Sequence, residues 1–282
     1  MWLDLLVALI LGGGIVALGM RHAVLRLSGA ICGLLTVLAV IALTDWTWVA
    51  PLLVVLAVLV WLGGFGAEHK REVLHQARAQ QLTWEQMLHR LGWPLLMAFF
   101  FRLLGPHDGY YAAFLGALAV ALADWAGSEL GLLSAQPPRN LVSGRATRAG
   151  AAGAISVLGT VAALAAAWLV GLAALLASMT VAWLGHEDLP RAYLWLPLAA
   201  MIAGTLGSLL DSFLGASAQG IYYCEGCERY SEEPIPDCGR QAVPIRGWSW
   251  LTNNLINWVS GIVGSAVMVT LTIWLAHSTT RW

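Results

Sequence analysis

Two carboxylates, Asp124 and Glu129, close the apolar stretch ALADWAGSELG (121–131), and no basic residue stands beside them in the chain. A third acid, Asp211, lies in GTLGSLLDSFLGASAQG (204–220). The two stretches share a pattern: a run of Gly, Ala and Leu ends in Asp, and a small residue, Ser128 or Gly215, follows four positions on. An ionised Asp in a membrane helix costs on the order of 2.5 to 3.5 kcal/mol at the bilayer centre and less near the interface. Such acids either cap and snorkel at helix ends, or converge as oxygen ligands for Mg²⁺, a hard cation usually held by one or two carboxylates together with substrate phosphates. The stretch RNLVSGRATRAGAAGAIS (139–156) offers the complementary half. Arg139, Arg145 and Arg148 suit phosphate oxygens, and Gly150 to Gly153 is expected to open a helix whose free N–H groups face an anion. The same arginines would serve equally to set topology, and the small residues to pack helices.

Two further clusters carry polar chemistry. NNLIN places Asn253 and Asn257 at i, i+4 on one helix face with Asn254 beside them, either as a polar helix start or as metal or phosphate ligands from a further segment. CEGCERYSEEPIPDC is a C-x2-C pair, Cys224 and Cys227, followed by Cys238. Zinc is one reading of it. A structural zinc takes four ligands, so Asp237 or an acid among Glu228, Glu232 and Glu233 would have to supply the fourth. Cys32, inside an apolar run, reads as a small core residue.

The elements that must position these residues are membrane spans. Of 282 residues, 59 % are hydrophobic and 11 % charged, which places the chain in the polytopic membrane class. The formal net charge of −1 says little about partners, and no nucleic-acid partner is expected. Apolar runs at 2–18, 27–43, 48–65, 93–104, 110–127, 151–184, 192–214 and 253–276 predict an all-α transmembrane helical bundle of about eight spans. Six to nine remain open, because 93–104 is short for a span of about 20 residues and 151–184 is too long for one straight span. The first run lacks a basic leader and a small-residue cleavage site and reads as a retained span.

Basic residues orient the bundle. With the N-terminus outside and every run crossing once, twelve Lys and Arg side chains fall on the cytoplasmic side, among them Arg78 and Arg90, whereas the outside keeps Arg191 and Arg281. The motif loops are then cytoplasmic, as expected for a protein of the cytoplasmic membrane with its active face inward. A rise of about 1.5 Å per residue puts Asp124 and Asp211 at similar depth near that face. Trp46, Trp48, Trp183 and Trp195 are expected to form the outer aromatic belt, and Trp93, Trp248 and Trp250 the inner one. Three regions result: a three-span region at 1–66, a cytoplasmic linker at 67–92, and a motif-bearing core at 93–282 with the cysteine loop at 216–252. Within the linker, Thr83 and Gln86 form a capping box that starts a helix with Trp84, Met87, Leu88 and Leu91 on one face. That helix reads either as an interfacial amphipathic element or as a linker packed on the spans.

ADWAGSELG, PPRNLVSGRATRAGAAGAISVLGT, GSLLDSFLGASAQ, the cysteine loop and WLTNNLIN, in that order, resemble the motifs of the integral membrane family called domain of unknown function 92. The family includes transmembrane protein 19 and the plant phytyl-phosphate kinase. The likeness runs from roughly Lys70 to Trp258, and the first three spans carry no matching motif. It implies transfer of a phosphoryl group from CTP to a prenyl monophosphate, an activity of the plant branch. It also implies that Asp124, Ser128, Glu129, Arg145, Gly153, Ser156, Gly159, Asp211, Ser212, Gly215, Gln219, Asn253 and Asn257 hold the family's polar and glycine positions. The chain departs from the pattern at Trp125, where a Thr is usual, at Asn254 for Asp, and at Pro236 for His.

The resulting expectation is a cytoplasm-facing prenyl-phosphate kinase. Asp124, Glu129 and Asp211 would hold Mg²⁺, and Asn257 would join them as a catalytic residue. Arg139, Arg145, Arg148, Ser128, Gly153, Ser156, Ser212, Gln219, Asn253 and Asn254 would bind nucleotide and lipid phosphates. A cytidylyltransferase that makes a CDP-lipid would use the same site. A transporter or lipid translocase would instead gather its polar groups near the bilayer midplane, whereas these acids gather at one face.

Overall fold

The computed structural model describes residues 2–74, 81–236 and 238–279, so Arg78, Asp237 and Arg281 lie outside the described residues. In chain order the elements are α1 (Trp2–Arg21), α2 (Leu27–Leu43), α3 (Trp46–Gly64), α4 (Ala67–Leu74), α5 (Trp84–Leu104), α6 (Asp108–Gly131), β1 (Arg139–Asn140), β2 (Ala154–Ile155), α7 (Val157–Gly185), α8 (Leu196–Ser217), β3 (Ile221–Cys224), β4 (Arg229–Ser231), β5 (Val243–Arg246) and α9 (Asn253–Thr279). A 3-10 turn, Arg191–Trp195, leads into α8. Among the described residues seven helices are long and apolar enough to cross a membrane, and the 17-residue apolar α2 makes an eighth candidate.

The ends of the helices sort as alternate crossings require. At one end, Arg26 N–H donates to Leu82 O (3.0 Å), Leu82 N–H to Val24 O (2.8 Å), and Lys70 pairs with Glu129, so the connection 22–26, the described segments 65–74 and 81–83, and the end of α6 from which 132–156 leaves meet there. At the other end, Trp46 Nε1 donates to Asp4 (2.9 Å) and Tyr111 OH to Thr47 O (3.1 Å), with the Tyr193 ring 6.4 Å from that of Tyr111. The motif loops therefore share one end, called here the motif end.

Two of the sequence boundaries move. The helix started by the Thr83 and Gln86 capping box does not stop at residue 92; it continues through Pro94 to Leu104 as one 21-residue span. Its first turns carry Glu85, Gln86, His89 and Arg90, which depress the local hydropathy and hide the span from a window reading, while Met87 and Leu91 are buried in the bundle. The boundary expected at 92/93 thus falls inside α5. The over-long run at 151–184 resolves differently: residues before Val157 belong to a loop and β2, and α7 begins at Val157 with Ser156 as its N-cap. The expected aromatic belts lose two members. Trp48 is buried against Phe101, Tyr111 and Phe114, with ring centroids 4.9 to 5.1 Å away, and Trp93 turns inward to donate to Ser265 Oγ (3.0 Å).

α6 is the axis of the bundle, packed by α3, α5, α7, α8 and α9 and buried around most of its circumference. Lipid tails are as apolar as Leu, so helices in a membrane associate through close packing, which small residues permit. The Gly, Ala and Leu composition of α6 follows from that demand. Gly116 shows it directly: a Cβ there would lie 2.5 Å from Gly264 O and 2.8 Å from Met268 Cβ on α9. On the motif end the helices carry two small sheets, β1 paired antiparallel with β2 and a three-stranded β4-β3-β5 sheet in the cysteine loop.

Gly116→Ala is expected to destabilise the protein by about 1 to 3 kcal/mol through overpacking. Gly261→Ala, whose added Cβ meets nothing within 4 Å, should leave thermal unfolding in detergent unchanged. Equal melting of the two variants would contradict the close α6–α9 crossing.

Candidate functional site

Of the three acids that stand without a basic neighbour in the sequence, Glu129 has an ion-pair partner in space, Lys70, and the two aspartates lie in the field of Arg90. Arg90, on α5, lies within electrostatic reach of Asp124 first, then Asp211 and Glu129. Its guanidinium sits 5.0 Å over the ring of Trp125, its Nη1 donates to Gln86 O (3.2 Å), and Trp125 is itself fixed by an Nε1 bond to Leu59 O (3.1 Å). Trp125 is thus the platform on which Arg90 rests. Lys70, on α4, is 5 % exposed and reaches Glu129 Oε2 at 2.5 Å and Leu62 O at 2.6 Å. Glu129 is therefore neutralised by Lys70, unlike the two aspartates expected to share its role.

Asp124 of α6 and Asp211 of α8 interact electrostatically with each other, and Ser260 of α9 stands beside Asp211. Asn257 lies one turn before Ser260 on the same helix. Among the described residues, six buried side-chain polar atoms lack a hydrogen-bond partner, and five of them belong to this neighbourhood: Asp211 Oδ2, Asn257 Nδ2, Ser260 Oγ, Gln219 Nε2 and Arg90 Nε, with Thr205 Oγ1 further along α8. Each such group costs about 1 to 3 kcal/mol when left unsatisfied. An acceptor and several N–H donors gathered at one end of the bundle fit a ligand that is both cationic and phosphate-bearing. The carboxylates of Asp124 and Asp211, with the orphaned Asp211 Oδ2, are an oxygen donor set suited to Mg²⁺.

The basic glycine-rich loop folds differently from its sequence expectation. Gly150 and Gly153 adopt φ of +76° and +72° and form turns, not a helix N-terminus. Gly153 is required for another reason as well: its backbone presses on α8, where a Cβ would lie 2.3 Å from Ala216 N. β1 and β2 pair Arg139 with Ile155 and Asn140 with Ala154, so the loop between them forms a hairpin over the helix ends. Arg139 Nη1 donates to Gly144 O (3.0 Å) and holds that hairpin, Arg145 is exposed, and Arg148 lies 4.3 Å over the Tyr230 ring. Ser156 Oγ accepts from Gly159 N–H (3.0 Å) as the cap of α7, and Ser128 is exposed near the end of α6. Ser212, Asn253 and Asn254 are half-buried beside the acid cluster's helices. Arg246, which the sequence reading counted only for topology, donates to Ala216 O (2.9 Å) and Gly215 O (2.7 Å), closing the end of α8.

Glu232, one of the acids offered by the sequence as a fourth zinc ligand, leans from the cysteine loop toward Gln219, Asp124 and Asp211. Desolvation there, and then the charge of Asp124, raise its carboxyl above the ordinary range. In the same loop, the Cys227 thiol beside Cys224 pulls Cys224 down to about 7, while Cys227 is pushed up to about 11 by Cys224 and then Cys238.

A family model described as "Integral membrane protein DUF92" matches residues 10–265. The chain belongs to that family. The match reaches well into the first three spans, where no motif had been found in the sequence, so the N-terminal region is part of the family's common body. Among curated proteins, Protein PGR of Arabidopsis thaliana is 34 % identical over 163 residues, 58 % of this chain and 52 % of that protein. The chain thus spans about half the length of this curated relative. No solved structure matches it. Within this DUF92 chain, Asp124, Glu129, Asp211, Gln219 and Asn257 gather at the motif end, whereas Ser156 and Arg139 are engaged in holding the loop.

Lys70→Met should leave Glu129 unpaired in a mostly buried position and destabilise the protein by about 3 kcal/mol. Lys70→Met/Glu129→Gln should recover much of that loss, and a double-mutant cycle on thermal or denaturant unfolding measures the coupling. Additive losses would show that the pair carries no interaction.

Proposed function

We propose that this DUF92 protein is a membrane phosphotransferase that moves the γ-phosphoryl group of CTP, or another nucleoside triphosphate, to a prenyl monophosphate. The observation that carries the reading is the ring of unpartnered buried polar atoms, Asp211 Oδ2, Asn257 Nδ2, Ser260 Oγ and Gln219 Nε2, beside Asp124 and Arg90.

Asp124 and Asp211 would hold Mg²⁺, which when bound supplies positive charge against the triphosphate oxygens. Arg90, stacked on Trp125 with its Nε free, is placed to donate to the phosphoryl group in transfer. Asn257 and Gln219, whose buried amide nitrogens lack a partner, would orient phosphate oxygens. Arg145, exposed on the loop, approaches the nucleotide from the water side. An oxygen of the acceptor phosphate forms the new bond to phosphorus as the bond to the β-phosphate oxygen breaks, and the nucleoside diphosphate leaves with the electron pair. The acceptor is already an anion, so no side chain needs to remove a proton. Positioning and electrostatic stabilisation are the main demands of such a transfer. The isoprenoid tail lies along the lipid-facing helices, and the motif end faces the cytoplasm, where most Lys and Arg residues fall.

Purified protein in detergent with Mg²⁺, a panel of prenyl monophosphates, and CTP labelled at the γ or the α phosphate tests the proposal. Label passing from γ into lipid is the expected result. Label from α would make the protein a cytidylyltransferase, and no transfer from any nucleotide would overturn the phosphotransferase reading. Asp124→Asn and Asp211→Asn should each lower turnover by at least about 10²-fold, with the protein still folded and monodisperse. Full activity in both would remove these acids from the site.

A further inference from the structure

We propose that Cys224, Cys227 and Cys238 form a zinc site that pins the β3–β4 hairpin over the acid cluster. Cys224 ends β3, Cys227 closes the turn before β4, and Cys238 returns from the loop beyond it. The Sγ atoms of Cys224 and Cys227 each lie 3.4 Å from that of Cys238, and all three fall within 4.8 Å of one another. A disulfide brings two sulfurs to about 2.05 Å and leaves the third unused. Three thiolates on tetrahedral zinc, with bonds of about 2.3 Å, stand about 3.8 Å apart, which is close to this arrangement. On binding, each thiol releases its proton to solvent and its sulfur lone pair enters the metal bond; the fourth corner takes an oxygen ligand, from water or a carboxylate.

The need for a staple is visible in the packing. Among the described residues the sheet's own core consists of Tyr222, Cys224 and Ala242, with Cys227 packed on it. β5 is exposed along its whole length. A segment this small rarely builds enough apolar core to hold a sheet, and metal ligation commonly supplies the difference. What the staple holds is informative. Tyr230, across β3 from Tyr223, carries Arg148 on its ring, and Glu232 leans toward Gln219 and the two aspartates. Metal binding outside the membrane would therefore order a roof above the acids.

The test is metal content of the full chain purified in detergent without added metal or chelator. About one zinc per chain is expected in the natural protein, falling to near zero in Cys224→Ser and Cys238→Ser. Cobalt exchange into the natural protein should give a thiolate-to-cobalt charge-transfer band, which settles the matter even if the serine variants fail to fold. Chelation should open the 225–240 segment to limited proteolysis, and zinc should close it again. Monodisperse protein without zinc and without a cobalt band, or zinc retained in both serine variants, would overturn the site. None of these readings depends on turnover, so a failed phosphotransfer assay leaves them intact.

Discussion

A guanidinium held among carboxylates at the end of a helical bundle constrains everything around it. Arg90, Asp124 and Asp211 come from α5, α6 and α8, and none of the three helices can move relative to the others without separating charges in a medium that screens them poorly. The Trp125 ring beneath Arg90 and the Leu59 carbonyl that fixes Trp125 extend the constraint to α3. Ser260 and Asn257 bring in α9. Removing one partner from such a cluster leaves an uncompensated buried charge, so the cluster enforces one relative arrangement of the helices that supply it.

The rest of the bundle reads as what that arrangement requires. Charges can approach only if the backbones do, and the Gly116 contact with Gly264 and the buried alanines of α6 provide the approach. Above the acids, Gly153 lets the arginine loop lie directly on the end of α8, while Arg246 satisfies carbonyls that the end of that helix leaves exposed. Lys70 and Glu129 form a separate, self-neutralised pair at the rim, anchoring α4 to α6. The opposite half of the bundle is closed by aromatic packing around Trp48 and by single bonds such as Trp46 Nε1 to Asp4.

Local patterns were legible in the sequence and distant pairings were not. Asp124 and Asp211 announce themselves because an acid ending an apolar run is costly, and the Thr83 capping box is a local signal that the structure reproduces. Arg90 and Lys70 looked like topology residues because their partners lie far along the chain, 59 positions away for Lys70 and Glu129, and only the fold makes them neighbours. The full length of α5 was hidden for the same reason: the polar residues that serve the site are those that dilute its hydropathy. Gly150 to Gly153 are ambiguous in a different way, since glycine marks both helix starts and turns, and the contacts that go with the positive φ angles, Gly150 with Leu74 and Gly153 with α8, are made only in the fold. Trp48 and Trp93 look alike to a belt rule, but packing and a hydrogen bond turned them inward.

The balance of charge at the site bears on which ligand it suits. With Lys70 and Glu129 cancelling each other, Asp124 and Asp211 share the guanidinium of Arg90. Such an excess of negative charge repels a bare polyphosphate and favours one that arrives with its cation. The amide donors of Asn257 and Gln219 have the opposite preference and want anionic oxygen. A metal–phosphate pair satisfies both demands at once, whereas a free cation would leave the amides orphaned and a free anion would leave Asp211 Oδ2 so.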